Sequence, residues 1–190
     1  MKKDLLYRLF SRIPPLGTER LILRAMRVSD AEDMYDYARR ADVTRYLTWY
    51  PHGSLDETRE YLTYVGQRYR TGDFYDWAIV HRADNRMIGT CGFTSFRCPS
   101  DVGEIGYVLN PAYHGRGLAT EAVRAVLRFG FEELSLHRIE ARFIEGNDSS
   151  RRLMERVGMT FEGYARESER IKDEYRTIGT AAILRSEYTS

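Results

Sequence analysis

The fold of this chain is most constrained by one short stretch, residues 110–122, which reads NPAYHGRGLATEA and joins a strand-like apolar run at 105–109 to a strongly periodic helical pattern. Its glycines, Gly115 and Gly117, lie where the chain turns into that helix. A loop of this kind directs several backbone N–H groups at one point, and the first turn of the helix adds unpaired donors and a partial positive charge. With the charge of Arg116, these groups form a receptor for phosphate. The alternative interpretation is a strand-to-helix turn that uses glycines only for geometry.

Two stricter phosphate-binding motifs do not fit this loop. A P-loop needs Gly-Lys-Ser/Thr at its end, and none occurs here. A dinucleotide fingerprint needs a third glycine, whereas this helix opens with Ala119. The loop instead resembles the acyl-CoA loop of the GNAT superfamily of N-acetyltransferases, Gln/Arg-x-x-Gly-x-Gly/Ala, with His114 in the position of Gln or Arg. The longer run from Gly115 to Ala122 resembles the RimJ/RimL-like branch of ribosomal-protein N-terminal acetyltransferases.

Length, charge and cysteine content narrow the class of protein. A chain of 190 residues suits one domain and buries roughly 70% of its unfolded surface. The balance of 29 basic against 28 acidic side chains provides no field that would attract nucleic acid or a membrane surface. Cys91 and Cys98 are too few for a disulfide framework and lack metal-ligand spacing, so we expect a reduced, cytoplasmic setting and no metal. No signal peptide or membrane span can be built from the first twelve residues.

The pattern along the chain predicts the element order βααβββαβαββ. Residues 1–17 are expected to form a short extension, broken by Pro14 and Pro15, ahead of one domain at 18–190. Helices are expected to begin near residues 31, 55, 119 and 150, and the first two follow capping-box sequences at Ser29 and Ser54. Strands are expected at 18–24, 75–80, 87–93, 103–109, 138–144, 160–164 and 175–184.

The family resemblance implies an α+β fold. It has a central mixed, mostly antiparallel sheet of about seven strands and about four helices. In that fold the sheet is splayed between the fourth and the fifth strand, which correspond here to the strands at 103–109 and 138–144.

The resemblance also implies acetyl-CoA as the cofactor and assigns residues to it. Val108 and Leu109, at the end of a strand, would bind the pantetheine arm through backbone groups. A second motif, Asn147-Asp148-Ser149-Ser150, resembles the family's Asn-x-x-Ser, in which Asn147 binds the pantetheine chain and Ser150 lies near the sulfur. Its alternative interpretation is an N-cap cluster. The loop and the start of the helix, from His114 to Thr120, would bind the rest of the cofactor. Within this stretch the pyrophosphate would be held by Arg116, Gly117, Leu118, Ala119 and Thr120, and the preceding residues are His114 and Gly115.

Acetyl transfer to an amine needs an uncharged amine, a site for the developing oxyanion and a proton for the departing thiolate. Many relatives outside the RimJ/RimL-like branch supply that proton from a Tyr four residues before the glycine that corresponds to Gly158, but this chain has Met154 there. Ser150, directly or through water, is therefore the candidate proton donor, and a hydrogen bond that steadies the thiolate is its expected contribution.

Two carboxylates are candidates for the general base. Glu104 shares a strand face with Gly106, and it would accept a proton through water if that face lines the acceptor cleft. Its alternative role is cross-strand pairing with an arginine. Glu169 corresponds to a catalytic acidic residue of the ribosomal branch, although the charged run at 166–170 is also typical of a solvated turn.

These residues predict an acetyl-CoA-dependent N-acetyltransferase that acts by direct attack in a ternary complex. The expected acceptor is a protein N-terminal amine or a small-molecule amine, and the acceptor identity and oligomeric state stay open. The expected acceptor region includes the aromatic patch at 49–52, which could line a cleft or pack two helices together. A non-catalytic acyl-CoA-binding module and an antibiotic-modifying acetyltransferase are the alternative functions.

Overall fold

One mixed sheet with helices on both faces organises the computed structural model, which describes residues 3–189. The helices within that range are α1 (Lys3–Phe10), α2 (Ala31–Ala38), α3 (Ala41–Thr44), α4 (Leu55–Arg70), α5 (Leu118–Glu132) and α6 (Asp148–Arg156). The strands are β1 (Leu16–Gly17), β2 (Leu21–Arg24), β3 (Tyr75–His81), β4 (Arg86–Arg97), β5 (Val102–Leu109), β6 (Arg138–Ile144), β7 (Thr160–Ile171) and β8 (Glu174–Leu184).

The strands lie in the order β1-β2-β3-β4-β5-β6-β8-β7, and β5–β6 is the one parallel pair of the described sheet. This pairing runs only from Val102 opposite Arg138 to Ile105 opposite Ala141. Residues 106–109 of β5 then separate from β6, which continues beside β8 as far as Ile144. The expected α+β class, mostly antiparallel sheet and splay between these two strands are therefore confirmed.

The described sheet has eight strands rather than about seven because Leu16–Gly17, expected to belong to the extension, form an additional strand ahead of the predicted first strand. Thr18 forms a tight turn between β1 and β2, in which its N–H donates to the carbonyl of Leu21 over 3.1 Å and its hydroxyl accepts from the N–H of Leu21 over 3.0 Å. The helices number six rather than about four because α1 and the short α3 add to those predicted.

Helix α5 is the crossover between the two parallel strands, and its sequence explains its position. Ala122, Val123, Val126 and Phe129 are buried against the sheet, whereas Arg124 and Arg128 face solvent. Such a stripe at a period of 3.6 residues is the pattern of a helix packed on one face. The helix axis thereby points its N-terminus at the end of β5.

A chain of ion pairs joins three strands at the closed end of the splay. The two terminal nitrogens of the Arg97 guanidinium donate to the buried carboxylate of Glu140, at 2.6 and 3.0 Å. Arg138 donates to the same carboxylate at 3.1 Å and also pairs with Glu162. Hydrogen bonds from Arg97 and Arg138 outweigh desolvation and hold the pKa of Glu140 below its usual value. These bonds connect β4, β6 and β7 beside the first residues of β5.

The residues expected to be a separate extension contribute to the same hydrophobic core. Phe10, in α1, is fully buried, and its ring lies 4.8 Å from that of Tyr75, 5.5 Å from that of Trp77 and 6.0 Å from that of Phe129. The Trp77 indole N–H donates to the carbonyl of Pro14 over 2.7 Å. An eight-residue helix is marginal by itself in water, so this packing is what stabilises α1.

One of the two expected helix caps is correct. The hydroxyl of Ser54 accepts from the N–H of Glu57 over 3.1 Å and caps α4. The capping box at Ser29 is wrong, because Ser29 lies inside a short 3-10 turn that precedes α2. Asp30 accepts the N–H of Arg27 there over 2.8 Å, and the guanidinium of Arg24 holds its carboxylate in place.

Replacing Phe10 tests whether α1 belongs to the core. We expect Phe10→Ala to lower the free energy of unfolding by about 3–5 kcal/mol, since it removes a buried aromatic ring. Tyr7→Ala, on the same helix but at a side chain 55% exposed, should cost no more than about 0.5 kcal/mol. Urea denaturation measures both, and an equally small loss in the two variants would mean that α1 does not pack as described.

Candidate active site

A groove of about 1620 Å³ runs from the open end of the splay along the N-terminus of α5. Its walls come from the end of β5, the loop before α5, the start of α6 and the turn between β1 and β2. The residues predicted to bind the cofactor line this groove with one exception, Arg116. Those present are Val108, Leu109, His114, Gly115, Gly117, Leu118, Ala119, Thr120, Asn147 and Ser150.

The loop before α5 has the backbone geometry of an anion receptor. Gly115 and Gly117 have φ angles of +75° and +76°, in the left-handed region that favours glycine. Gly117 is the N-cap of α5 and has no side chain to occupy the helix terminus. The N–H groups of Leu118, Ala119 and Thr120 have no acceptor inside the helix, because these are its first three residues. The helix terminus therefore presents donors and positive potential to the groove.

Arg20 and Glu121 brace this loop against β2. Arg20 donates to the carbonyl of Arg116 over 2.9 Å, while its Nε donates to the Glu121 carboxylate over 2.7 Å. Thr18 donates to the same carboxylate over 2.6 Å. Although desolvation opposes it, hydrogen bonds from Thr18 and Arg20 lower the pKa of Glu121, so this carboxylate stays charged.

Two predicted cofactor side chains are engaged with the protein itself. The guanidinium of Arg116 lies over the ring of Tyr113, 5.3 Å from its centre. The Nε2 atom of His114 is hydrogen-bonded to the carbonyl of Leu109 over 3.0 Å. In this conformation the loop therefore presents mainly backbone groups to the groove, and the predicted charge contribution of Arg116 is directed elsewhere.

Ser150 and Tyr107 form a hydroxyl pair at the splay. Their hydroxyl oxygens are 2.8 Å apart, and the Tyr107 hydroxyl also donates to the Ser150 carbonyl over 3.2 Å. Burial raises the pKa of Tyr107, so its proton is retained at neutral pH. Sequence reasoning missed Tyr107 as a site residue, because strand alternation put it on the face opposite Glu104.

Asn147 caps α6, which agrees with the alternative interpretation of its motif. Its side-chain oxygen accepts from the N–H of Ser150 over 3.3 Å and from the hydroxyl of Ser149 over 2.9 Å. It also lines the groove, so the cap and the cofactor role involve the same side chain.

A second cavity, of about 480 Å³, meets the groove at the splay. The two cavities share six lining residues: Tyr46, Leu47, Tyr107, Val108, Asn147 and Ser150. Both predicted bases, Glu104 and Glu169, line the second cavity. We name it the acidic pocket, after the four carboxylates on its wall: Asp73, Asp76, Glu104 and Glu169.

The two predicted bases have different neighbours in the acidic pocket. Glu104 accepts a hydrogen bond from the Thr94 hydroxyl over 3.0 Å, and it forms no ion pair with an arginine of the described chain. Glu169 pairs with Arg142 and lies on β7, not in a turn, because that strand continues to Ile171. The solvated-turn interpretation of Glu169 is therefore wrong.

Asp76, on β3, is a pocket residue that sequence reasoning missed. Its Oδ1 accepts from the N–H of Trp77 over 3.0 Å, and Thr90 contributes a side-chain hydrogen bond. Burial outweighs these bonds and raises the pKa of Asp76 to about 7. The sequence did contain an indication of this site, because Asp76 is an acidic residue directly before the apolar run at 77–80 of the same strand.

The aromatic patch at 49–52 combines both roles considered for it. Trp49 lines the acidic pocket. His52 packs between helices, with its Nδ1 at 2.7 Å from the Thr58 hydroxyl and its ring 5.9 Å from that of Tyr61. Cys98 is absent from the described lining of both cavities, and Cys91 is buried.

Residues 3–189 offer neither a metal-binding cluster nor a membrane-spanning helix. No group of three or more His, Cys, Asp and Glu side chains in that range could hold a metal ion. None of its helices is both long enough and apolar enough to cross a bilayer.

Comparisons with known proteins agree with this architecture. Residues 20–160 match the model of the acetyltransferase (GNAT) domain. The uncharacterized N-acetyltransferase p20 of Bacillus licheniformis is 31% identical over 91% of this chain and 97% of its own length. The crystal structure of a GNAT-family acetyltransferase from Bacillus anthracis superposes with a TM-score of 0.81 at 30% identity, covering 92% of this chain and 100% of that one.

The chain thus belongs to the GNAT acetyltransferase family, and it is an N-acetyltransferase. The RimJ/RimL-like resemblance is confirmed as well. The [ribosomal protein uS5]-alanine N-acetyltransferase of Escherichia coli (strain K12) is 26% identical over 92% of both chains.

The raised pKa of Asp76 predicts a pH dependence of stability. Its folded pKa of about 7 exceeds the ordinary value of 3.8, so the folded state binds the proton more tightly and loses stability as pH rises between these values. We therefore expect Asp76→Asn to become more stable relative to the parent from about pH 4 to pH 7, and to show no further relative change above pH 7.

Urea denaturation across this pH range measures the difference. Asp73→Asn is the matched control, because hydrogen bonds from Arg68 and Thr71 lower the pKa of Asp73 and no gain is expected. A constant difference between the parent and Asp76→Asn would mean that this carboxyl is not desolvated.

Proposed function

We propose that this N-acetyltransferase binds acetyl-CoA in the groove and transfers its acetyl group to a primary amine that enters through the acidic pocket. The observation that carries this proposal is the meeting of the two cavities at Tyr107, Val108, Asn147 and Ser150. A thioester at that junction would be open to the cofactor side and to the acceptor side. Such an arrangement suits direct attack in a ternary complex.

The proposed cofactor pose follows from charge and hydrogen-bonding capacity. The pyrophosphate lies against the loop at 114–117 and the first turn of α5, where N–H donors and the helix terminus stabilise negative charge. The pantetheine arm follows β5 past Leu109 and Val108, which pair with β4 but are beyond the pairing with β6. Asn147 binds the arm from the α6 side.

The proposed reaction needs two proton movements. The amine nitrogen forms a bond to the thioester carbon, and the C–S bond then breaks. Glu104, through water, takes the proton that the amine loses. Ser150, paired with the Tyr107 hydroxyl, hydrogen-bonds the thiolate and, directly or through water, supplies the second proton. Strand N–H groups of β5 that face the gap stabilise the oxyanion.

Glu104 is the first choice of base, and Glu169 is the second. The carboxylate of Glu169 is already engaged by the Arg142 guanidinium, so it is less available to the attacking amine. Glu104 has a neutral partner, Thr94, and lies on the strand that forms the cofactor floor. The acceptor class is a primary amine, either of a protein N-terminus or of a small molecule. The similarity to the uS5-alanine enzyme supports the first of these.

Substitution of Gly117 tests the cofactor site. We expect Gly117→Glu to abolish CoA binding, since its carboxylate would occupy the phosphate position and repel it. Gly163→Glu is the matched control: Gly163 also has a positive φ, +140°, but it lies on β7 with open space around it. Titration calorimetry with CoA measures both variants. If Gly117→Glu binds CoA as tightly as the parent, the pyrophosphate binds at another site.

The base is tested by pH–rate profiles of Glu104→Gln and Glu169→Gln with one good acceptor and a free-thiol readout. The variant that lacks the true base should show turnover lower by about 100-fold or more and a flattened rising limb of its pH–rate profile. We expect this loss in Glu104→Gln and a smaller one in Glu169→Gln. Parental profiles in both variants would contradict the assignment and favour binding of an amine that is already neutral.

A further inference from the structure

Asp76 stands at one end of a row that crosses three strands of the sheet. In the register of the strands, Asp76 is opposite Gly92, and Gly92 is opposite Gly106. Directly opposed residues project to the same face, so the two positions beside Asp76 on the pocket face carry no side chain. Adjacent strands are spaced by about 4.8 Å, so the row spans about 10 Å from the backbone of Asp76 to that of Gly106.

The glycine at position 92 is required for this arrangement. A Cβ atom built there would lie 2.4 Å from the Cα and 2.8 Å from the Oδ1 of Asp76. A Cβ on Gly106 would lie 2.9 Å from the Thr94 side chain. The space above Gly92 is taken by Asp76 itself and that above Gly106 by the Thr94 side chain, so the row is a close-packed wall whose two ends, Asp76 and Gly106, line the acidic pocket.

The position of Asp76 is fixed from the helical layer. The Tyr69 hydroxyl, on α4, donates to the Asp76 carbonyl over 2.6 Å and accepts from the N–H of Met26 over 3.2 Å. Together with the Trp77 N–H on Oδ1, these bonds hold the carboxylate at the end of the glycine row.

No positive charge of the described chain pairs with Asp76. The ionisable groups whose electrostatic interaction with it is resolved are Tyr37, Tyr61, Tyr69 and Cys91, and each is neutral because burial raises its pKa. Two other carboxylates of the pocket differ: Asp73 pairs with Arg68, and Glu169 pairs with Arg142. A desolvated carboxylate with neutral donors gains more from a cationic ligand than one already paired.

We infer that Asp76 binds a second ammonium group of the acceptor, so that the preferred substrate is a short aliphatic diamine. This inference rests on the proposed function and specifies its acceptor. The reacting nitrogen must lie about 3–3.5 Å from the thioester carbon at the splay. The row is about 10 Å long, and the hydrogen bond at Asp76 takes about 3 Å of it. The approach to the thioester takes up to about 3 Å more, so roughly 4–7 Å remain between the two nitrogens.

The walls of the acidic pocket suit the chain between two such groups. They include the aromatic side chains Trp49, Tyr64, Phe74 and Tyr75. Aromatic rings accommodate methylene groups and also attract alkylammonium groups that lie over their faces. A polyanionic acceptor is disfavoured by the carboxylates of the same walls.

The test compares 1,4-diaminobutane with butylamine, which has the same carbon chain and one ammonium group fewer. We would measure kcat and KM for both, from thiol release, in the parent, Asp76→Asn and Asp73→Asn. The parent should prefer the diamine by tenfold or more in kcat/KM, chiefly through KM. Asp76→Asn should reduce this preference to less than about threefold, chiefly by raising KM for the diamine. Asp73→Asn should keep the preference.

Controls separate this inference from the proposed function. CoA titration of Asp76→Asn should match the parent, which shows that the variant is folded. A diamine preference that survives in Asp76→Asn, or a parent that turns over butylamine as well as the diamine, overturns the inference and leaves the acetyl transfer intact. If the parent acetylates a peptide with N-terminal alanine but neither of the two small amines, the diamine inference is also overturned and the acetyl transfer stands. Thiol release with none of the three acceptors overturns the inference together with the proposed function.

Discussion

The separation of β5 from β6 after four paired residues is the constraint on which the rest of the molecule depends. Parallel strands need a crossover, and here the crossover is α5. Because only residues 110–117 separate the end of β5 from the start of α5, the helix N-terminus, the glycine loop and the edge of β5 that faces β6 meet at one place. The groove and the acidic pocket both reach this place. The candidate site is therefore a product of topology, and side chains refine it.

Features of the site with local causes could be predicted from the sequence. Gly115, Gly117 and the apolar stripe of α5 occur within a few turns of each other, so the loop and helix were recognisable together. Tyr107 and Asp76 were not, because their neighbours depend on strand register, which shifts at irregularities between Phe93 and Ser95 and between Ile79 and Val80. Helix α1 was missed for a related reason: its stability comes from Phe10 packing on distant aromatic rings.

The carboxylates of the acidic pocket illustrate how one functional group acquires different properties from its surroundings. Glu169 has an arginine partner, Glu104 has a threonine hydroxyl, and Asp76 has neutral donors in a desolvated position. Composition counts all three as equal negative charges. Their value to a cationic ligand differs because of the residues that fold around them.

The ion pairs from Arg97 through Glu140 and Arg138 to Glu162 lie at the closed end of the splay, where β5 and β6 are still paired. Strand pairing thus joins the two halves of the sheet at one end only, and at the open end the hydroxyls of Tyr107 and Ser150 bridge them. The unpaired part of β5 is a lever of four residues, about 13 Å long, so a change of about 5° in the angle between the halves corresponds to about 1 Å at the open end. The width of the gap is therefore set by that angle and by one pair of hydroxyl groups, whereas the register of the strands is set by the ladder of backbone hydrogen bonds.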